Sequence, residues 1–166
     1  MVRKLLIGLV ALVVLAIGVF VAREFLKSEE ARIRERFARL ASTVSKEKKE
    51  KPIAMLHLTR SFRTLFADPC TIDGARRSIS GSYSPRELAS LVVRGRQSFS
   101  ELSLAFSDLK ITLRNNRTAD AVFTAFVRGT RGGGSFREAR EVKATLSKEE
   151  SGWVFSDIEV VQVLRK

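Results

Sequence analysis

The chain has 166 residues and a formal net charge of +12, with one cysteine and one histidine. That length accommodates a single domain with its own core plus an accessory segment. One thiol and one imidazole exclude an internal disulfide, a cysteine-histidine zinc set and thioredoxin-like or papain-like chemistry, and the charge bears on partners more than on fold.

Leu5 to Ala22, LLIGLVALVVLAIGVFVA, is an uninterrupted run of 18 uncharged residues, about 27 Å as a helix and just enough to span a bilayer core. Arg3 and Lys4 would suit a cleaved signal peptide, but Phe20 stands where the outer small residue of a cleavage site belongs, which favours an uncleaved signal anchor. A short basic tail before the apolar run places the amino terminus in the cytoplasm and the rest in the periplasm. The lysines and arginines beyond Ala22 count the other way, toward a domain facing the cytoplasm. The expected division is residues 1–27 as a transmembrane anchor and 28–166 as the folded domain.

Ser28 is an N-cap candidate with Glu29 and Glu30 in the first turn. Ile33, Phe37, Leu40, Ala41 and Val44 then form one apolar stripe at helical spacing. Glu30 with Arg34 and Glu35 with Arg39 make i,i+4 ion pairs on the other side. The run Lys46 to Lys51 reads as a solvated connector, and Pro52 opens a second helix with Met55, Leu58, Phe62, Leu65 and Phe66 as its buried stripe. His57 lies across from that stripe with no carboxylate at i,i+3 or i,i+4 to orient it, so an exposed histidine is the expectation.

Ala67-Asp68-Pro69 ends that helix, because a residue before proline is pushed out of the α region. A short strand from Cys70 to Asp73 turns at Gly74, with a return through Arg77 to Ser80. Ser84-Pro85-Arg86-Glu87 combines an N-cap serine, proline at the first helical position and glutamate three residues after the cap, so a third helix starts there. Leu88, Leu91, Val92 and Phe99 mark its buried face, and Gly95 would admit a close neighbour. From Leu102 to Leu164 the pattern is a four-stranded meander with turns at Asn115–Arg117, Arg131–Ser135 and Glu149–Gly152. Leu102, Leu104 and Phe106 alternate on one parity while Leu109, Ile111 and Leu113 continue on the other, which requires a bulge near Ser107-Asp108. Strands beginning at Ala119 and Trp153 are apolar on both parities. Together these elements predict an α+β domain of three helices packed on a bent antiparallel sheet.

The order of elements, with "RERFARLA" in the first helix, "LFADPCTIDG" at the second-helix exit, "YSPRELA" opening the third and "REVKATLSKEESGWVFSDIEVVQV" closing the sheet, resembles the nuclear transport factor 2-like superfamily, cone-shaped domains that include SnoaL-like polyketide cyclases and ketosteroid isomerase. Enzymes of that superfamily place carboxylate, tyrosine or histidine side chains inside the cone. The resemblance therefore singles out Tyr83, Asp108 and Arg140 as candidate pocket residues. No Asp-His or Tyr-Asp spacing fixes a mutual contact, and the tyrosine and aspartate positions of the isomerase have no aligned polar counterpart. Asp108 reads more readily as a bulge residue than as a base, and Arg140 as a partner of Asp157 or Glu159 on the next strand.

No catalytic set, metal site or cofactor site emerges. Gly129 to Ser135 lacks the Lys-Ser/Thr of a phosphate loop and joins two strands, so it reads as a flexible hairpin tip. Basic residues are dispersed without an aromatic ladder, which argues against nucleic acid and for anionic lipid headgroups. Apolar residues on both sheet faces predict a homodimer or an envelope protein partner through the outer face. The expected role is a membrane-tethered, non-catalytic binding or assembly module of the bacterial envelope, the alternative being a small-molecule-binding protein or enzyme of the polyketide-cyclase-like or isomerase kind.

Overall fold

A computed structural model describes residues 28–47, 54–74 and 79–163. The expected anchor at Leu5–Ala22, the proline expected to open the second helix and most of the charged connector lie outside the described residues. Among the described residues no helix is long and apolar enough to cross a membrane. The chain divides into two compact units, Met1–Arg34 and Glu35–Lys166.

Residues 28–44 are helical (α1), with Ser28 already inside the helix. In the first unit, Arg32 donates to the buried Glu29 at 2.8 Å and Arg34 to Glu30 at 2.6 Å. In the second, Arg39 pairs with Glu35 at 2.8 Å, while Phe37 and Leu40 are buried on the opposite side. Lys46 does not belong to a solvated connector. It bridges Leu102 through the backbone, and its ammonium donates to the carbonyls of Phe99 at 2.7 Å and Arg96 at 3.3 Å.

Helix α2 spans Ala54–Leu65 and buries Leu58, Phe62 and Leu65. Strand β1, Phe66–Asp73, follows at once, so Phe66 is a strand residue and not the last position of the helical stripe. It pairs antiparallel with β2, Gly81–Tyr83, which lies just beyond the expected return. Helix α3, Pro85–Gln97, has the predicted capping box: the Ser84 hydroxyl accepts from the Glu87 amide, and the Glu87 carboxylate accepts from the Ser84 amide at 2.8 Å. Its buried residues are Pro85, Leu88, Ala89 and Arg96, whereas Leu91 is exposed and Gly95 has no neighbour within 4 Å of an added Cβ. The helix is thus turned away from the expected face. The guanidinium of Arg96 donates to the Thr43 carbonyl at 2.9 Å, which lets a cation lie on the buried side.

The meander comprises β3 (Glu101–Leu113), β4 (Thr118–Arg131), β5 (Gly134–Glu149) and β6 (Gly152–Val163). The sheet has six strands in the order β2-β1-β6-β5-β4-β3. It is mixed and not purely antiparallel, because β1 runs parallel to β6, with Phe66 opposite Phe155 and Ile72 opposite Ile158. The expected bulge is present: the β3–β4 ladder steps from Ser107–Thr124 to Lys110–Val122, and Asp108 has φ 55°. Two further irregularities interrupt the β5–β6 ladder. The one between Phe155 and Asp157 carries Ile158 and Val160 to the same face as Phe155, and the other follows Val160.

Candidate functional site

Residues directly opposite in a ladder share a face, so the register sorts every side chain of the sheet. One face carries Leu113, Ala119, Leu146, Phe155 and Phe66 in one row, then Ile111, Ala121, Ala144 and Ile158, then Phe123, Val142 and Val160. Phe37 of α1 packs on this face, its ring edge-on to Phe106, Phe123 and Phe155 at centroid distances of 5.3, 4.9 and 5.0 Å. Phe66 stacks on Phe62 of α2 at 5.0 Å. Such edge-to-face and offset contacts add to area burial and fill the centre of the helix-side face with rings.

Beyond Phe123 and Val142 the next rows are Phe106, Ala125 and Arg140, then Leu104, Val127 and Glu138. Arg140 thus shares the face of Val142, as its parity predicts. Its guanidinium donates to Glu138, two residues away on the same strand, and not to Asp157 or Glu159. The β5–β6 register explains the difference. Asp157 and Glu159 stand opposite Thr145 and Lys143, on the outer face. The Arg140 and Glu138 side chains are 27% and 33% exposed, so solvent reaches this end of the helix-side face.

The three candidate residues do not converge. Tyr83 lies on β2 and Asp108 on β3, the two opposite edge strands, and Arg140 on the inner strand β5. The Tyr83 hydroxyl donates to the Ile79 carbonyl at 3.1 Å. The exposed Asp108 carboxylate accepts from the Ser107 hydroxyl at 2.9 Å. Its positive φ is one that aspartate tolerates better than most residues, so it closes the bulge.

The groups with perturbed ionisation lie elsewhere. Burial, and secondarily the Asp157 carboxylate, push the Cys70 thiol up to about 12. Burial, and then the Arg39 charge, hold the Arg36 guanidinium below the usual arginine range. Arg36 donates to the carbonyls of Thr64 at 3.1 Å and Ser151 at 2.8 Å, pinning the β5–β6 turn to the end of α2. Sequence reasoning passed over Arg36, Arg96 and Lys46, three cations that donate to backbone carbonyls. A signal existed only for Arg96, which follows Pro85, Leu88 and Ala89 at helical spacing. Among the described residues no group of three or more His, Cys, Asp or Glu side chains is placed to hold a metal ion.

No protein-family model matches the sequence, and no curated protein matches it. Solved structures do resemble it. The Kfla4162 protein of Kribbella flavida superposes with a TM-score of 0.68 at 16% identity, over 84% of this chain and 93% of its own. A nuclear transport factor 2-like superfamily protein from Salmonella enterica gives 0.65 at 13% identity, over 85% and 95%. An NTF2-like protein with a cystatin-like fold from Novosphingobium aromaticivorans gives 0.62 at 16% identity, over 84% and 85%. The chain therefore has the cone-like α+β fold of nuclear transport factor 2-like, cystatin-like proteins.

Proposed function

We propose that the chain is a non-catalytic binding or assembly module, tethered to the cell inner membrane by a single helix over Leu5–Ala22, with its domain in the periplasm. Its partner is a second copy of the chain or another envelope protein. The observation that carries this reading is the ring cluster of Phe37, Phe106, Phe123 and Phe155 on the helix-side face. A face filled with phenylalanine rings leaves binding to surfaces outside it. Single changes Tyr83→Phe, Asp108→Asn and Arg140→Met are expected to leave assembly and any dependent phenotype intact. Loss of small-molecule turnover in a correctly folded variant would sink this reading. Reporter fusions at Lys166 check the tether: activity confined to the periplasm is expected, and activity confined to the cytoplasm reverses the orientation.

A second reading, a small-molecule-binding protein or enzyme, is favoured by Glu138 and Arg140, a charged pair on the helix-side face that solvent reaches. Native mass spectrometry of the full chain extracted from membranes separates the two. A small molecule retained by the wild type and lost from Arg140→Met supports the pocket, and a ligand-free mass supports the assembly module.

A further inference from the structure

The outer face of the sheet carries an arrangement that neither reading uses. Arg128 on β4 stands directly opposite Arg137 on β5, and Ser103 on β3 stands opposite Arg128 on its other side. Like charges directly opposite in an antiparallel pair repel. Elsewhere on this face cations meet carboxylates, as where Lys143 stands opposite Glu159 and where Arg114 pairs with Asp120. Among the described residues, neither the Arg128 nor the Arg137 side chain has an ion pair or hydrogen bond. The Arg128 guanidinium lies over the Phe126 ring, 6.0 Å from its centroid.

The adjoining row on the same face is Glu101, Thr130 and Ser135. These residues with Ser103, Arg128 and Arg137 line a solvent-open groove of about 220 Å³ beside the glycine-rich hairpin. Arg128 and Arg137 against Glu101 give the residues lining the groove a net positive charge, and Ser103, Thr130 and Ser135 add hydroxyl donors. Guanidinium forks match the paired oxygens of a phosphate, and an anion between the two arginines would turn their repulsion into two attractions.

We propose that this groove is a binding site for a phosphate-class oxyanion, held between Arg128 and Arg137 with the hydroxyls of Ser103, Thr130 and Ser135 as further donors. Free phosphate and the phosphodiester of a lipid headgroup share the required chemistry. The inference stands independently of the tether and of the assembly role.

The test uses the full chain in nonionic detergent, titrated calorimetrically with inorganic phosphate and, separately, with glycerophosphoglycerol, a headgroup phosphodiester without acyl chains. Chloride at matched ionic strength is the control. Binding of either probe is expected, and the tighter one identifies the source. Arg128→Gln with Arg137→Gln should weaken it about tenfold or more, the loss of charge-assisted hydrogen bonds. Lys110→Gln with Lys143→Gln removes the same charge from the same face and should change it less than about twofold, as exposed, screened charges do. Arg137→Gln alone should raise the melting temperature in chloride by relieving the repulsion, and abolish the further rise that phosphate gives the wild type. Absence of binding by both probes overturns the proposal. So does equal weakening by the two double variants, which would reduce the effect to net charge. A wild-type melting temperature indifferent to phosphate overturns it even if the arginine double variant fails to fold.

Discussion

Cys70 shows how one side chain reports its surroundings. Its thiol is fully buried on β1 and its ionisation is pushed up to about 12 by burial and then by Asp157. The unfolded chain loses this proton near pH 8.5 and the folded chain keeps it. Stability is therefore complete below about pH 8.5 and falls as the pH rises from there toward about 12, since the unfolded state binds fewer protons in that window. A thiol reagent at pH 8 is expected to leave Cys70 untouched until denaturant is added, and stoichiometric labelling of the native chain would contradict this placement. Gly129 is constrained by close approach. A Cβ there would meet the Glu101 carbonyl at 2.5 Å and the Phe99 ring at 2.9 Å, and the carbonyl belongs to the paired strand and cannot swing aside. Gly129→Ala should destabilise by about 1–3 kcal/mol through overpacking, read as a lower denaturant midpoint with an unchanged slope.

Among the elements, α3 owes its start to local chemistry and its rotation to its neighbours. Removing the Ser84 hydroxyl by Ser84→Ala should cost about 1 kcal/mol, measured by chemical denaturation. Hydrogen bonds donated to it by Ser84, from the backbone N–H first and the hydroxyl second, hold the Glu87 carboxyl below the usual glutamate range. The contribution of that carboxylate is present above its unfolded pKa and disappears as the pH drops through the lowered folded value. Glu87→Gln is accordingly expected to flatten the acid side of the stability profile while keeping the capping geometry. Strand β3 shows the same division. A change of parity at Ser107-Asp108 demands an extra residue, and Asp108 at φ 55° supplies it. The irregularities of β6 have no comparable signal, because a strand apolar on both parities reads the same with or without them.

At the scale of the whole molecule, those β6 irregularities alter what the outer face offers a partner. Ile158 and Val160 turn to the helix side, leaving Val122 and Phe126 on the outer face among lysines, arginines and carboxylates, while Val161, at the second irregularity, is 40% exposed. A dispersed apolar set of this kind is weaker ground for an interface than a contiguous patch, so the proposed homodimer would be a modest one. Sedimentation equilibrium of the full chain in detergent is expected to show a monomer–dimer equilibrium. Burial of one such side chain is worth roughly 1.5–3 kcal/mol, so Val161→Asp should weaken that dimer at least about tenfold. Strictly monomeric behaviour at high concentration would assign the face to a different partner.

Elements with a complete local code were legible in the residues themselves. The capped start of α3, the i,i+4 ion pairs of α1, the β3 bulge and the glycine-bearing turns each rest on interactions among residues a few positions apart, which sequence spacing displays directly. The apolar run Leu5–Ala22 is a property of composition alone and lies outside the described residues. The parallel docking of β1 against β6, the packed face of α3 and the pairing of Arg140 with Glu138 were not. Each depends on which distant strand arrives alongside and in what register, and a single-residue irregularity in β6 moves Ile158 and Val160 to the other face. The opposition of Arg128 and Arg137 has the same origin, nine residues apart in the chain and juxtaposed only when the β4–β5 hairpin closes in this register.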